Sequence, residues 1–281
     1  MVETRTQLKY ANDSIILKTC IIIVNNNKKC KILDMTIDQW LQQELTKYDV
    51  FVVDCKNGEN LKEKIAIYLK NYNYFMIIYN NTPFITEEVV DRIFDYIAIK
   101  DAKACKLYSG AVYEVKNYLR YDNVMYDCFY MQDQECFRLI ENDEDITLAE
   151  KFFTNKVIMR LRKNGIMIES PQSIIISPMA SIGAGTTILH NCVIKGKTHI
   201  GKNCIINNNS TIIDSNLGDN VSVSNSIINK SKIGDNSIIS PYCNINKATI
   251  DNDCYISYYC VVENSRVKKG ANLQQNTTLR K

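Results

Sequence analysis

Long apolar runs are missing: the longest purely aliphatic stretches are as short as Ile21-Ile22-Ile23-Val24, so no segment is built to span a bilayer. No apolar signal segment stands behind Met1-Val2-Glu3-Thr4-Arg5, which points to a cytoplasmic protein. A surplus of charge is missing too. The net charge of +3 is too small to argue for nucleic acid or an anionic membrane as partner. Eleven cysteines are present, but none forms a Cys-x-x-Cys pair, so reduced thiols are expected rather than disulfides or zinc. Histidine is scarce, with only His190 and His199. What remains is the ordinary make-up of a soluble globular protein, 46% hydrophobic and 23% charged. The 281 residues are enough for one or two domains with a real core.

One pattern stands out from this background. From Ile176 to Ile212 an aliphatic residue recurs at every sixth position. Steps of five or six then carry the series on through Leu217, Val223, Ile228, Ile233, Ile239, Ile245, Ile250, Ile256, Val262, Val267, Leu273 and Leu279. Two residues before each aliphatic stands a small one, with Val221 the single exception after Ala180. A large and a small residue per hexad is the signature of a parallel β-helix, in which three hexads close one triangular coil. The aliphatic points inward and stacks on its equivalents, and the small residue fills the tight space left at the corner. About six coils are expected over residues 166–281. Five cysteines, at 192, 204, 243, 254 and 260, occupy the small slot, where they are expected to be buried and inert.

Terminal repeats need covering. Residues 147–165 supply one cover, read as a linker helix with Leu148, Phe152, Phe153, Val157 and Leu161 on one stripe and Gly165 as its stop. The acids Glu141 to Asp145 read as a solvated lead-in to that helix. Residues 1–146 have another rhythm. Cys20 to Val24, Val50 to Val53 and Phe75 to Tyr79 read as strands. Thr36 to Leu45, Glu59 to Leu69 and a helix capped by Thr86 lie between and after them. That alternation implies an α/β domain with a mostly parallel sheet covered on both faces. The turn after the first strand, Asn25-Asn26-Asn27-Lys28-Lys29, has no glycine and so reads as a polar turn rather than a phosphate loop. The Tyr-rich stretch Tyr113 to Tyr130 reads as sheet and interface packing.

Two stretches, "DITLAEKFFTNKVIMRLRKNGIMIESPQSIIISP" and "TTILHNCVIKGKTHIGKNCIINNNSTIIDSNLGDNVSVSNSIINKSKIGDNSIISPYCNIN", together resemble one family. It is the bifunctional N-acetylglucosamine-1-phosphate uridylyltransferase / glucosamine-1-phosphate acetyltransferase of cell-wall precursor synthesis. A fainter likeness lies in "YFMIIYNNTPFITEEVVDRI". The resemblance implies a left-handed β-helix of hexapeptide repeats, a homotrimer formed through it, and a reduced sugar-nucleotide-transferase-like α/β/α domain before it. It also implies magnesium for the first activity and acetyl-CoA for the second.

The matching positions are changed. Asn81 stands where the family has its metal-binding Asp, and only Lys31, before Ile32-Leu33, matches the lysine after the family's phosphate loop. Asn246 replaces a phosphate-holding Arg, Glu263 replaces a phosphate-binding Lys, and Gln275 replaces the catalytic His. Magnesium wants hard anionic oxygen and a glutamine cannot accept a proton from an amine, so neither cofactor is expected to serve here. The expectation is therefore a shortened, degenerate relative. It would bind a sugar nucleotide or sugar phosphate in amino-sugar or envelope-precursor metabolism, as a scaffold or regulator without transferase activity. The alternative is an enzyme with a relocated site near His190, which holds the same slot in its hexad as Gln275. His199 is expected on a flat outer face.

Overall fold

The computed structural model describes residues 18–25, 31–56 and 59–281. The chain divides into two compact units, Met1–Ala149 and Glu150–Lys281.

In the first unit the apolar runs are strands β1 (Thr19–Asn25), β4 (Asp49–Asp54) and β5 (Tyr74–Tyr79), with a small hairpin β2 (Lys31–Ile32) and β3 (Met35–Thr36). Between and after them lie α1 (Ile37–Glu44), α2 (Leu61–Ala66) and α3 (Glu87–Lys100). Thr36 opens α1 through a capping box with Gln39, and the Thr86 hydroxyl accepts from the Val89 amide at the start of α3. The rest of the sheet is β6 (Ala104–Lys106), β7 (Ala111–Glu114) and β8 (Cys128–Phe129), with α4 (Val115–Arg120) after β7. The strand order is β4-β1-β5-β7-β6-β8, and only β7 runs against its neighbours. Every β1 residue from Cys20 onward is buried, as a central strand covered on both faces must be. On one face Cys20, Ile22 and Val24 pack with Phe75, Ile77, Ile65, Leu69 and Val115. The opposite face, with Ile21 and Ile23, is equally buried and is left to α1 and α3, none of whose residues join that cluster. Of the glycine-free turn, residues 26–29 lie outside the described residues.

Helix α5 runs over Asp143–Lys163, four residues ahead of the expected start. Of the acids at its start Glu141, Asp143 and Glu144 are exposed, and only Asp145 departs from the expected solvated lead-in. Asp145 is buried and accepts from the Glu141 amide at 3.1 Å and from the Arg138 guanidinium at 2.9 Å. The helix starts earlier because the Asn142 side-chain oxygen accepts from the Asp145 amide at 3.0 Å, and an acidic first turn suits the positive end of the helix. Leu148 is exposed, and the buried stripe is Ala149, Phe153, Val157, Ile158 and Leu161. At the other end Arg160 and Arg162 donate to the carbonyls of Pro178 and Ile168, fixing the helix terminus to the first coil.

The second unit is the left-handed parallel β-helix. Three sheets of seven, six and seven strands run its length, giving about seven turns rather than six. The extra turn begins at Met167-Ile168, which pairs with Thr187-Ile188; Pro171–Ser173 interrupts the step of six there and hides it. Each strand is two or three residues long, and the inward aliphatics pair in register. Ile176, Ile194, Ile212, Ile228, Ile245, Val262 and Leu279 form one such ladder. The small slot is buried from Ala180 through Cys260. Its hydroxyls and thiols also satisfy the corner backbone, which composition alone does not reveal. Ser226 Oγ donates to the Ser240 carbonyl at 2.9 Å and accepts from the Cys243 amide at 2.9 Å. The Cys243 thiol donates to the Ser257 carbonyl at 3.0 Å, and burial pushes its pKa up to about 11.

Candidate functional site

The residue before each small slot turns the corner, and from Gly185 onward it repeatedly has a positive φ, as at Asn191, Asn203, Asn209, Asn220 and Asn236. Asparagine tolerates that conformation through its short amide, whereas a bulky side chain there is unusual. Lys230 and Lys247 are bulky exceptions, and so are the aromatic Tyr242 and Tyr259, at φ 66° and 59°. The two tyrosines stand one coil apart on the same edge with rings stacked 5.0 Å apart and 11° from parallel, and both are about half exposed. Over six coils this edge reads Leu189-His190-Asn191, Asn207-Asn208-Asn209, Ser224-Asn225, Ser240-Pro241-Tyr242, Ser257-Tyr258-Tyr259 and Gln274-Gln275-Asn276. These six coils contain no lysine, arginine, aspartate or glutamate there; the first turn adds one carboxylate, the exposed Glu169, below Leu189. The other two edges carry charge at Lys202, Asp219, Asp235 and Asp253, and at Asp214, Lys230 and Lys247.

His190 and Gln275 therefore do share a slot, but they sit five coils apart on this edge, about 24 Å at the spacing of neighbouring strands. His190 is half-buried, and its imidazole has no hydrogen-bond or ion-pair partner among the described residues. Gln275 is exposed. His199 lies on an outer face, with its Nδ1 2.8 Å from the Ser181 hydroxyl.

Asn246 and Glu263 do come together. Both are third residues of strands in one sheet, paired directly in register, with Asn229 before them and Arg280 after. Asn229 donates to Asn246 at 3.1 Å, Asn246 donates to Glu263 at 3.3 Å, and Arg280 pairs with Glu263 at 3.4 Å. With Ile227, Asn244 and Val261 they line a groove of about 260 Å³. Its two formal charges cancel, and its free donors and acceptors are carboxamides. Such a groove suits hydroxyl groups and one apolar ring face. A phosphate would find the one guanidinium already held by a carboxylate. Arg280 is the partner that sequence reading missed. Its signal was the step of seventeen residues from Glu263, visible once the coil length at this end is known.

The two remaining positions lie in the first unit. Lys31 is exposed at the start of β2, whose Ile32 carbonyl accepts from the Trp40 indole. Asn81 follows β5 and lines a small cavity of about 190 Å³ with Ile37, Ile140, Glu141, Asn142, Asp143 and Ile146. Its Oδ1 is buried without a partner. Next to it, Asn80 donates to Asn25, which donates to Asp54, tying the ends of β5, β1 and β4. These groups do not fit magnesium. The buried oxygen is a neutral amide, and although Glu141 and Asp143 line the same cavity, no three metal-ligating side chains cluster among the described residues. Nor does the edge around Gln275 fit the phosphates of an acyl-CoA, since it offers no cation.

Residues 179–214 match the family described as bacterial transferase hexapeptide (six repeats). Over 97 residues the chain is 42% identical to the bifunctional protein GlmU of Thermoanaerobacter pseudethanolicus and 38% identical to that of Clostridium beijerinckii. Each match covers 34% of this chain and 21% of the relative, so the chain spans about a fifth of the length of these curated relatives. Among solved structures, the acetyltransferase domain of PglB from Neisseria gonorrhoeae aligns over 93% of this chain and 95% of that one, at 13% identity and a TM-score of 0.34. Perosamine N-acetyltransferase from Caulobacter crescentus aligns over 90% of each chain, at 12% identity and a TM-score of 0.33. The resemblance read from the two quoted stretches stands over the repeat region.

Proposed function

Starting from a hexapeptide solenoid akin to part of that bifunctional protein, we propose that this chain binds the sugar of an amino-sugar nucleotide or related saccharide and does not transfer an acyl or nucleotidyl group. It acts as a scaffold or regulator in cytoplasmic amino-sugar or envelope-precursor metabolism. The observation that carries this reading is the neutral groove, where Asn246 and Glu263 stand at positions that hold cations in the family. Gln275, at the position of the family's base, supports it as well. The protein assembles as a homotrimer through the uncharged edge. Exposed Ile205, Ile238 and Tyr255 flank that edge on one face and exposed Ile175 and Ile227 on the other, while the third face carries Lys232 and Arg266. Aromatic and aliphatic residues without charge are what the core of a subunit interface is made of.

Calorimetric titration with UDP-N-acetylglucosamine, beside assays of uridylyl transfer with magnesium and of acetyl transfer with acetyl-CoA, tests the reading. Binding that falls about tenfold or more in Asn246→Ala, with no turnover, is expected. Turnover by the wild-type protein would overturn it. One observation favours a second reading, an acyltransferase using His190: its imidazole is unpaired on the edge that subunits would share. Turnover that vanishes in His190→Ala would establish that reading instead.

A further inference from the structure

Among the described residues the cysteines differ in environment, and Cys55 and Cys136 are partly buried. Those of the solenoid slot are sealed. Cys243 and Cys260 occupy the same slot in successive coils, yet they are only 2% and 0% exposed. Cys20 lies in strand β1 inside the sheet of the first unit, fully buried and with its pKa pushed up to about 12 by burial. Cys105 and Cys128 differ from both. They are direct register partners on the parallel pair β6 and β8, which puts their side chains on the same face of the sheet. Cys105 is fully buried, but Cys128 is only partly buried on β8, which pairs with β6 alone among the described strands and has a single neighbour. Directly paired parallel residues have Cα atoms about 5 Å apart, inside the range a disulfide bridges without large backbone movement.

We propose that Cys105 and Cys128 form a reversible cross-strand disulfide, a redox site that clamps the edge strand β8 to the sheet under a low-molecular-weight disulfide such as oxidised glutathione. The partly buried Cys128, as thiolate, attacks one sulfur of that disulfide; an S–S bond forms to Cys128, the glutathione S–S bond breaks, and one glutathione thiolate leaves. Cys105 gives its proton to solvent and attacks the Cys128 sulfur, closing the protein disulfide and expelling the second glutathione. Two protein thiols are oxidised and one small disulfide is reduced to two thiols. The attacking thiol is the accessible one, and Cys105, its register partner on the next strand, is the thiol placed to resolve the mixed disulfide. Tyr96 at the Phe129 carbonyl, with the amides of Asp127 and Tyr130 bonded to the carbonyls of Ala104 and Lys106, already holds the segment in place for closure.

The experiment incubates the full-length protein with a series of reduced-to-oxidised glutathione ratios, quenches with acid, and maps disulfides by mass spectrometry of unreduced digests. A peptide joining Cys105 to Cys128, lighter by two hydrogens and restored by excess reduced glutathione, is expected, with Cys243 and Cys260 left as thiols. Amide exchange supplies a second readout: in the oxidised protein Asp127 and Tyr130 should exchange about tenfold or more slowly, and this change should vanish in Cys128→Ser. A stable glutathione adduct on Cys128, a bridge from Cys128 to Cys136, or unmodified thiols at every ratio would each overturn the proposal.

Discussion

At the scale of the residue, the solenoid depends on what fits a corner. Gly218 shows how tight that fit is. A Cβ added there would lie 2.0 Å from Asp235 Oδ1 and 2.9 Å from the Asp235 amide of the next coil. The same Asp235 oxygen accepts from the Asp219 amide at 2.8 Å, so the carboxylate cannot simply swing away. Gly218→Ala should therefore cost about 1–3 kcal/mol of stability, the usual range for overpacking a close contact. A urea titration of variant and parent checks it, and equal midpoints would show that the coil spacing yields more easily than the geometry implies. The small slot was legible in the sequence because size recurs on a fixed step. Its second task, pairing hydroxyls and thiols with corner amides and carbonyls, was not. Which neighbour Ser226 or Cys243 faces is set by the stacking of coils, a relation between residues fourteen to seventeen positions apart.

At the scale of the element, α5 carries the clearest pH dependence. The Glu141 amide, followed by the Arg138 guanidinium, holds the Asp145 carboxyl below its ordinary pKa. A group whose folded pKa is depressed stabilises the fold above its unfolded value, about 3.9, and that stability is lost as pH falls through the folded value. Asp145→Asn should thus lower the urea midpoint at pH 7 and flatten its fall between pH 5 and pH 2. An unchanged acid limb would remove Asp145 from the account. The start of this helix was misplaced in the sequence because Asn142, which accepts from the Asp145 amide, sits in a run of acids that looks like a solvated loop. The strands β1, β4 and β5 and helices α1 and α3 were legible to within a few residues, since their apolar periods are clean. By contrast β6 and β8, three and two residues long, offer no period to read, and the pairing of Cys105 with Cys128 follows only from the sheet.

At the scale of the whole molecule, two features decide function, and both arise from folding. Residues sixteen to eighteen apart line up into edges and ladders only when coils of unequal length stack, so neither the uncharged edge nor the Asn229–Asn246–Glu263–Arg280 ladder is visible as a motif. If the edge is a subunit interface, a charge placed on it must disrupt assembly. Sedimentation velocity should show a trimer for the parent and for Lys232→Glu on the third face, and a monomer for Tyr258→Glu. A trimer that survives Tyr258→Glu would move the interface elsewhere. The groove carries the proposal: in place of the cations that would hold a phosphate it offers three carboxamides and a neutralised ion pair, a lining that would suit the hydroxyls of a sugar. The most direct measurement is a pair of calorimetric titrations, N-acetylglucosamine and its 1-phosphate, into the wild-type protein under identical ionic strength. Binding of the uncharged sugar with no gain from the phosphate is the result expected. An affinity for the phosphate tenfold or more above that for the free sugar, about 1.4 kcal/mol, would contradict it.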